Sequence, residues 1–206
     1  MGDDWPEAMG LTTVRSTLSP SLLQDLLRFS VQGGEIDLLH AMAASVRHGK
    51  PMSLRLDLGG LPLFAAINPR VQIFRAPLDL CALSPAELAS LRLLGVEPES
   101  ASLSPGVTQR IHTGALRPLL WKLALYGSRE ELFPEIAGKV RYRIAFGVTL
   151  NGLHVEPEWL PMLQRLKSAP LSLDELRAGA AKHRVGPQRM LNALYLQSGL
   201  MISRAP

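Results

Sequence analysis

The stretch from Glu156 to Pro206 has the densest run of helix start and stop signals in the chain. Pro157 occupies a position typical of a first helical residue, where the missing proline N–H has no helical partner to lose. Ser172 and Glu175 form a capping box, in which the serine hydroxyl and the glutamate side chain satisfy each other's backbone amides. Pro187 opens a third run of apolar residues at helical spacing. The pattern predicts three helices joined by short turns.

The end of this stretch predicts a helix stop followed by a strand. Gly199 stands where helices commonly end in a left-handed residue, and the apolar run 200–202 predicts a strand that forms the first edge of a wing. Three helices, short turns and a trailing strand resemble the winged helix-turn-helix superfamily over the last quarter of the chain. The resemblance implies a fold and leaves the function open, because this fold serves DNA-binding proteins and protein-interaction modules alike.

As a DNA-binding helix-turn-helix, the third helix would present its N-terminal residues to base edges in the major groove. Gln188 and Asn192 have side chains that pair with adenine, and Arg189 has one that pairs with guanine. Lys182 and Arg184, in the preceding turn, would contact phosphates. These five residues are therefore the candidate binding residues, for nucleic acid or for another partner.

Charge favours the nucleic-acid interpretation, whereas the apolar character of the third helix favours protein. From position 157 onward there are seven Lys and Arg against three Asp and Glu, whereas the first 156 residues hold fifteen of each sign. The third helix, however, is apolar on most of its sides, and such a helix is usually buried against other polypeptide. The apolar residues are Met190, Leu191, Ala193, Leu194 and Leu196. We therefore take protein contact as the leading hypothesis and DNA as the alternative.

The first half of the chain predicts a helical hairpin followed by a sheet. Helical spacing covers residues 20–48 with a break at Gly33-Gly34. Residues 52–58 alternate apolar and polar side chains, and Gly59-Gly60 fits a hairpin turn that needs positive φ. With strands at 61–67 and 71–76, this predicts a three-stranded antiparallel meander. The continuous apolar run of the second strand predicts burial on both faces.

The remaining signals divide the chain into segments. A capping box at Ser84 and Glu87 predicts a helix as far as Gly95. Helical spacing resumes at 113–126, and Pro118 in its first turns gives a start near Arg117 as the alternative. Strands cluster rather than alternate with helices, which predicts the α+β class. The predicted segments are a flexible lead-in, an α+β domain, a linker, a connecting helix and strand, and the winged-helix-like unit. Their boundaries are 1–17, 18–96, 97–112, 113–155 and 156–206.

No sequence motif points to catalysis, a cofactor or a metal. The five histidines lack ligand spacing, and no phosphate-binding glycine motif or nucleophile elbow occurs, so we expect neither a cofactor nor a metal. Cys81 lies in an apolar setting before a capped helix. It is interpreted as a buried structural residue, or else as a nucleophile whose pKa the helix N-terminus lowers. Arg141 and Arg143 share one face of a predicted strand, where they would bind an anion or face water.

Composition and sequence patterns indicate a globular protein and the compartment in which we expect it. The hydrophobic share of 47% and charged share of 19% are ordinary for a chain with a packed core. A single cysteine cannot form an intrachain disulfide, and the first residues lack a secretory signal pattern. Uncharged stretches are far shorter than the roughly 20 residues that span a bilayer. We expect a cytoplasmic protein without membrane contact.

The leading functional hypothesis is a non-enzymatic bacterial regulatory or adaptor protein that acts through protein–protein interaction, including homodimer formation as one form. The alternative is a DNA-binding transcriptional regulator that uses the C-terminal helix-turn-helix. A second alternative is an enzyme whose site assembles from distant residues around Cys81.

Overall fold

The computed structural model describes residues 20–30, 37–98, 111–180 and 185–204. The chain divides into two compact units, Met1–Leu116 and Arg117–Pro206. Each unit combines helices with its own antiparallel sheet, which confirms the α+β class. The second unit brings together residues that the sequence pattern had divided between a connecting region and a winged-helix-like unit. The lead-in 1–17 and most of the predicted linker lie outside the described residues.

Two helices begin the described part of the first unit, α1 (Pro20–Ser30) and α2 (Leu38–His48). The Asp37 side chain caps α2 by accepting from the backbone N–H of His40 at 2.7 Å, which sets the start of the helix at Leu38. Near its other end, Arg47 Nη2 lies 3.1 Å from the Asp25 carboxylate of α1. The predicted break at 33–34 falls outside the described residues.

A five-stranded antiparallel sheet forms the centre of the first unit, and the predicted three-stranded meander lies within it. The strand order is β4-β1-β2-β3-β5. Gly59 and Gly60 form the β1–β2 turn at φ 60 and 92, as the sequence predicted. The strands are β1 (Met52–Leu58), β2 (Leu61–Asn68), β3 (Ile73–Ala76), β4 (Leu91–Pro98) and β5 (His112–Ala115).

Two predicted helices are shorter than expected, because both outer strands replace part of them. The capping box at Ser84 is present, but its helix α3 (Pro85–Ser90) gives way at Leu91 to β4, which pairs with β1. Likewise β5 pairs with β3, and α4 (Leu116–Tyr126) begins only afterwards. Both strands depend on partners distant in sequence, which local helical spacing does not report.

The second strand is buried on one face only, so the prediction of burial on both faces was wrong. Leu63, Ala65 and Ile67 point into the core, whereas Phe64 between them is 50% exposed. Phe64 faces outward opposite Arg55 of β1. An antiparallel sheet commonly keeps one face open to water, and apolar residues also occur there.

The second unit packs helices against a three-stranded antiparallel sheet of order β7-β6-β8. Its helix α7 ends in the left-handed conformation at Ser198, with φ 54, rather than at Gly199 as predicted. Gly199 lies close to its neighbours instead, since a Cβ there would be 3.1 Å from Val148 Cγ1. The elements after α4 are β6 (Val140–Ile144), α5 (Leu160–Ser168), β7 (Leu171–Ser172), α6 (Leu173–Gly179), α7 (Pro187–Leu196) and β8 (Leu200–Arg204).

The core of the second unit is built around large aromatic side chains, and Trp121 and Tyr142 donate hydrogen bonds to backbone carbonyls there. Trp121 and Trp159 are both buried. Trp121 Nε1 donates to the His154 carbonyl at 2.8 Å. Tyr142 of β6 is fully buried and donates its hydroxyl to the Ile136 carbonyl at 2.7 Å. These hydrogen bonds tie the turns of the unit to its sheet and to α4.

Within the described ranges, every helix is too short or too polar to cross a membrane.

Candidate binding face

Helix α7 is buried on most of its sides within the second unit. Met190, Leu191, Ala193 and Leu194 are completely inaccessible to solvent. A helix that buries residues on so many sides can offer only a narrow strip to a ligand. The polar residues of α7 therefore decide whether that strip is free to bind.

Asn192, a candidate base-reading residue, uses both ends of its amide inside the unit. Its Oδ1 accepts from the Phe133 N–H at 3.0 Å, and its Nδ2 donates to the Glu131 carbonyl at 2.8 Å. The side chain is 0% exposed. In this conformation Asn192 fastens the loop after α4 to α7, and its amide is not presented to a groove.

Arg189, the candidate guanine reader, binds the C-terminal end of α4. Its Nη1 donates to the carbonyls of Leu125 at 3.2 Å and Gly127 at 2.6 Å. These are carbonyls at a helix end, which lack intrahelical donors, and a cation also complements the helix dipole there. Nη2 lies 3.3 Å from Glu130 Oε1, and only 15% of the side chain is exposed. The guanidinium is thus occupied within the unit.

Gln188 is half-buried beside α6. With its amide oriented to suit its neighbours, Oε1 accepts from Arg177 Nε at 3.2 Å and from Arg177 Nη2 at 2.7 Å. Lys182 and Arg184 lie outside the described residues, so their predicted phosphate contacts stay predictions. Of the five candidate residues at the helix-turn-helix, the structure therefore brings Gln188, Arg189 and Asn192 into contacts within the second unit.

The outer side of the small sheet carries the other predicted pair, Arg141 and Arg143. Burial alternates along β6, so both arginines are exposed while the residues between them face the core. The register sets Arg143 opposite Met201 and Arg141 opposite Ser203. We call these four residues the arginine face. The sequence prediction that the two arginines share one strand face agrees with this register.

The two arginines differ in their surroundings. Arg141 Nη1 donates to the Pro170 carbonyl at 3.1 Å and lies 3.6 Å from Glu175 Oε2. Hydrogen bonds from Ser172 lower the pKa of the Glu175 carboxyl, and the charge of Arg141 lowers it further. Arg143 has no carboxylate within ion-pair distance among the described residues. Arg143 is therefore the cation on this face that is available to an external anion.

Two exposed apolar side chains lie at the end of the sheet where β6 ends and β8 begins. Met201 is 56% exposed, and Phe146, two residues beyond β6, is fully exposed. The turn that carries Phe146 is well held, since Ala145 N–H donates to the Gly199 carbonyl at 2.9 Å and Gly147 takes φ 80. Sequence reasoning missed Phe146 and Met201 as binding residues. An aromatic residue beside a turn glycine was the available signal for Phe146.

The second unit carries a clear excess of positive charge. From Arg117 to Pro206 the sequence holds thirteen Lys and Arg against seven Asp and Glu. Several of the arginines bind carbonyls of their own unit, as Arg117 does through Nη2 to Thr149 at 2.6 Å. The charge excess and the unpaired Arg143 together favour an anionic ligand.

The interpretation of Cys81 as a buried residue was wrong, and its interpretation as a nucleophile stays a prediction. Cys81 is half-buried rather than buried, and its backbone N–H donates to Asp79 Oδ1 at 2.9 Å. The same carboxylate oxygen lies 3.4 Å from His112 Nε2, on partly exposed side chains. In the part of the chain that the structure describes, no cluster of three or more His, Cys, Asp or Glu is placed to hold a metal ion.

Comparisons with protein-family descriptions, with curated proteins and with solved structures find no match to this chain.

Proposed function

We propose that this chain is a non-enzymatic bacterial regulatory adaptor whose second unit binds another protein. The observation that carries the proposal is the use of Arg189 and Asn192 within the unit, on a helix whose apolar residues are buried. Reading bases would require both side chains to leave satisfied hydrogen bonds, which costs about 1–3 kcal/mol for each buried group left unpaired. A protein ligand on another surface requires no such rearrangement.

The helices and the last strand of the second unit follow the order expected of a winged helix, which supports the resemblance. The pairing of that last strand differs from the expected wing. Helix α5, the short β7, helices α6 and α7, and then β8 follow one another as expected. The partner of β8, however, is β6, which precedes the three helices in sequence. The three-stranded sheet is therefore complete without a further wing strand after β8. Its central strand is β6, which carries Arg141 and Arg143.

Crosslinking in native lysate tests the adaptor proposal. The full chain is treated with an amine-reactive crosslinker, and crosslinked peptides are identified by mass spectrometry. We expect reproducible crosslinks from Lys139 and Lys167, both exposed in the second unit, to one partner protein or to a second copy. The absence of both a protein partner and self-association at saturating crosslinker would overturn the proposal.

DNA binding by the second unit is the alternative, and the charge of that unit is the observation that favours it. A gel-shift with duplex DNA at low salt and micromolar protein separates the two. The adaptor proposal expects no retention. Retention that weakens steeply with added salt would instead support the DNA-binding regulator, because phosphate contacts release counterions.

A further inference from the structure

We infer that the arginine face and the adjoining Phe146 bind an extended acidic segment of a protein partner that also carries apolar side chains. This inference rests on the proposed adaptor function and names the chemistry of its ligand. Charge complementarity supports it, since the second unit has nearly twice as many cationic as anionic residues. Arg143 provides an exposed guanidinium without a carboxylate of the described residues beside it.

The spacing of the arginines suits an extended chain. Residues two apart on a strand are separated by about 6.6–6.8 Å and point to the same side. Carboxylates at alternate positions of an extended ligand have the same repeat, so successive acidic side chains can meet Arg143 and Arg141. An arginine fork also matches a carboxylate with two parallel hydrogen bonds. To bind a ligand carboxylate, Arg141 would have to give up or share its contact with Glu175. Arg143 would bind a ligand carboxylate without giving up an ion pair.

The residue types around the arginines favour a protein ligand over nucleic acid. Met201 lies directly opposite Arg143, and Phe146 lies at the same end of the sheet. Arginine, methionine and phenylalanine are enriched at protein interfaces, whereas nucleic-acid interfaces are more polar and more strongly cationic. The apolar residues would cover leucine or aromatic side chains of the ligand.

Fluorescence anisotropy with labelled synthetic peptides tests the inference on the full chain. One peptide has Glu at two alternate positions and Leu at the next alternate position, so that all three side chains share one face of the extended chain. A matched peptide has Lys in place of each Glu, and a single-stranded oligonucleotide serves as the nucleic-acid probe. We expect the acidic peptide to bind most tightly. Arg143→Glu should weaken that binding by about tenfold or more, and Phe146→Ser by several-fold, because each removes a contact of the proposed site.

Lys167→Glu is the matched control, because it makes the same change in net charge at an exposed position on α5. We expect it to change peptide binding less than about twofold. Equal losses in the Arg143→Glu and Lys167→Glu variants would overturn the inference, since binding would then follow net charge alone. Tighter binding of the oligonucleotide, lost in the Arg143→Glu variant, would overturn it in favour of a nucleic-acid site. Circular dichroism melting checks that each variant is folded.

The inference and the adaptor proposal can fail separately. If the Arg143→Glu variant keeps every crosslinked partner of the wild-type chain and binds the acidic peptide unchanged, the partner occupies another surface and only the inference fails. If the wild-type chain has neither a protein partner nor self-association in lysate, the adaptor proposal fails and the inference fails with it.

Discussion

Single polar side chains hold the turns of the second unit to its helices. Asn192 joins α7 to the loop around Phe133 through two hydrogen bonds, and Arg189 joins α7 to the end of α4. Backbone groups buried away from water need such partners, and loops are where helices and strands fail to provide them. A polar residue on an otherwise apolar helix is therefore as consistent with holding a loop as with binding a ligand.

Replacing Asn192 with alanine should destabilise the chain by about 1–3 kcal/mol, because the buried Phe133 N–H and the Glu131 carbonyl both lose their partner. Urea unfolding followed by circular dichroism measures the change in the free energy of unfolding. Gln164→Ala, at an exposed position of α5, is the control and should stay within about 0.5 kcal/mol of wild type. An Asn192→Ala variant as stable as this control would contradict the role assigned to the amide.

We expect Tyr142 to make the second unit lose stability at alkaline pH. Burial raises the pKa of its hydroxyl, and the charge of Arg177 lowers it by a smaller amount. The folded state therefore holds the phenol proton more tightly than the unfolded state does. This contribution to stability is complete below the unfolded pKa of about 10 and is lost as pH rises beyond it.

When the pH is raised from neutral to above about 10, the Tyr142→Phe variant should lose less stability than wild type does. Phenylalanine has no hydroxyl proton at this buried position, so the variant lacks the contribution that wild type loses. It should also be less stable than wild type at neutral pH by about 0.5–1.5 kcal/mol, since the Ile136 carbonyl loses its donor. Urea unfolding at both pH values measures the two differences. Other titrating groups act on both proteins alike, so parallel pH profiles would disprove the role of Tyr142.

Elements whose signals are local were predictable, and elements formed by distant pairing were not. Both capping boxes, at Ser84 and Ser172, are present as predicted, because a cap is decided by residues three apart. The β1–β2 turn was likewise predictable from its glycines. The leucines of β4 also fit helical spacing, and only the pairing of this strand with β1 decides between helix and strand.

In the candidate site, too, the features set by local patterns were predictable and those set by distant pairing were not. Strand alternation placed Arg141 and Arg143 together, and the register agrees. The role of Met201 depends on which strand lies beside β8, and that strand comes from upstream of the three helices. The internal hydrogen bonds of Arg189 depend on where α4 ends relative to α7, which no local pattern records.

The outer strand β5 depends on a glycine that leaves room for an aromatic ring. A Cβ at Gly114 would overlap the ring of Phe74, which is fully buried on the neighbouring β3. Gly114→Ala should destabilise the first unit by about 1–3 kcal/mol, because the ring must shift within a packed core. Thermal unfolding followed by circular dichroism provides the measurement.

Gly95 of β4 offers a matched control for this prediction. A Cβ there would meet the guanidinium of Arg55 at 2.8 Å, which is the far end of a flexible side chain. Gly95→Ala should therefore cost less than about 1 kcal/mol, since the arginine can move aside and alanine loses less chain entropy on folding. If the Gly95→Ala variant is as unstable as the Gly114→Ala variant, any side chain in these outer strands is disruptive and the ring contact is not the cause.

At the scale of the whole molecule, each unit has a sheet and a core of its own. No strand is shared between the five-stranded and three-stranded sheets of the described residues. The two units also differ in charge, since the first holds nine Lys and Arg against eleven Asp and Glu while the second has its cationic excess. Separate cores of this kind commonly open as separate cooperative units.

Hydrogen exchange on the two destabilised variants tests whether the units unfold separately. Gly114→Ala should accelerate amide exchange throughout β1–β5 and leave β6 and β8 at wild-type rates, because its strain acts on the core around Phe74. Asn192→Ala should do the reverse, since the loop it releases belongs to the second unit. Each acceleration should match the measured loss of stability, about tenfold for each 1.4 kcal/mol where exchange requires opening of the whole unit. Equal acceleration of all eight strands by either variant would mean that the chain unfolds as one cooperative body. In that case the second unit does not open independently, and the arginine face should remain fully formed under any condition in which the first unit is folded.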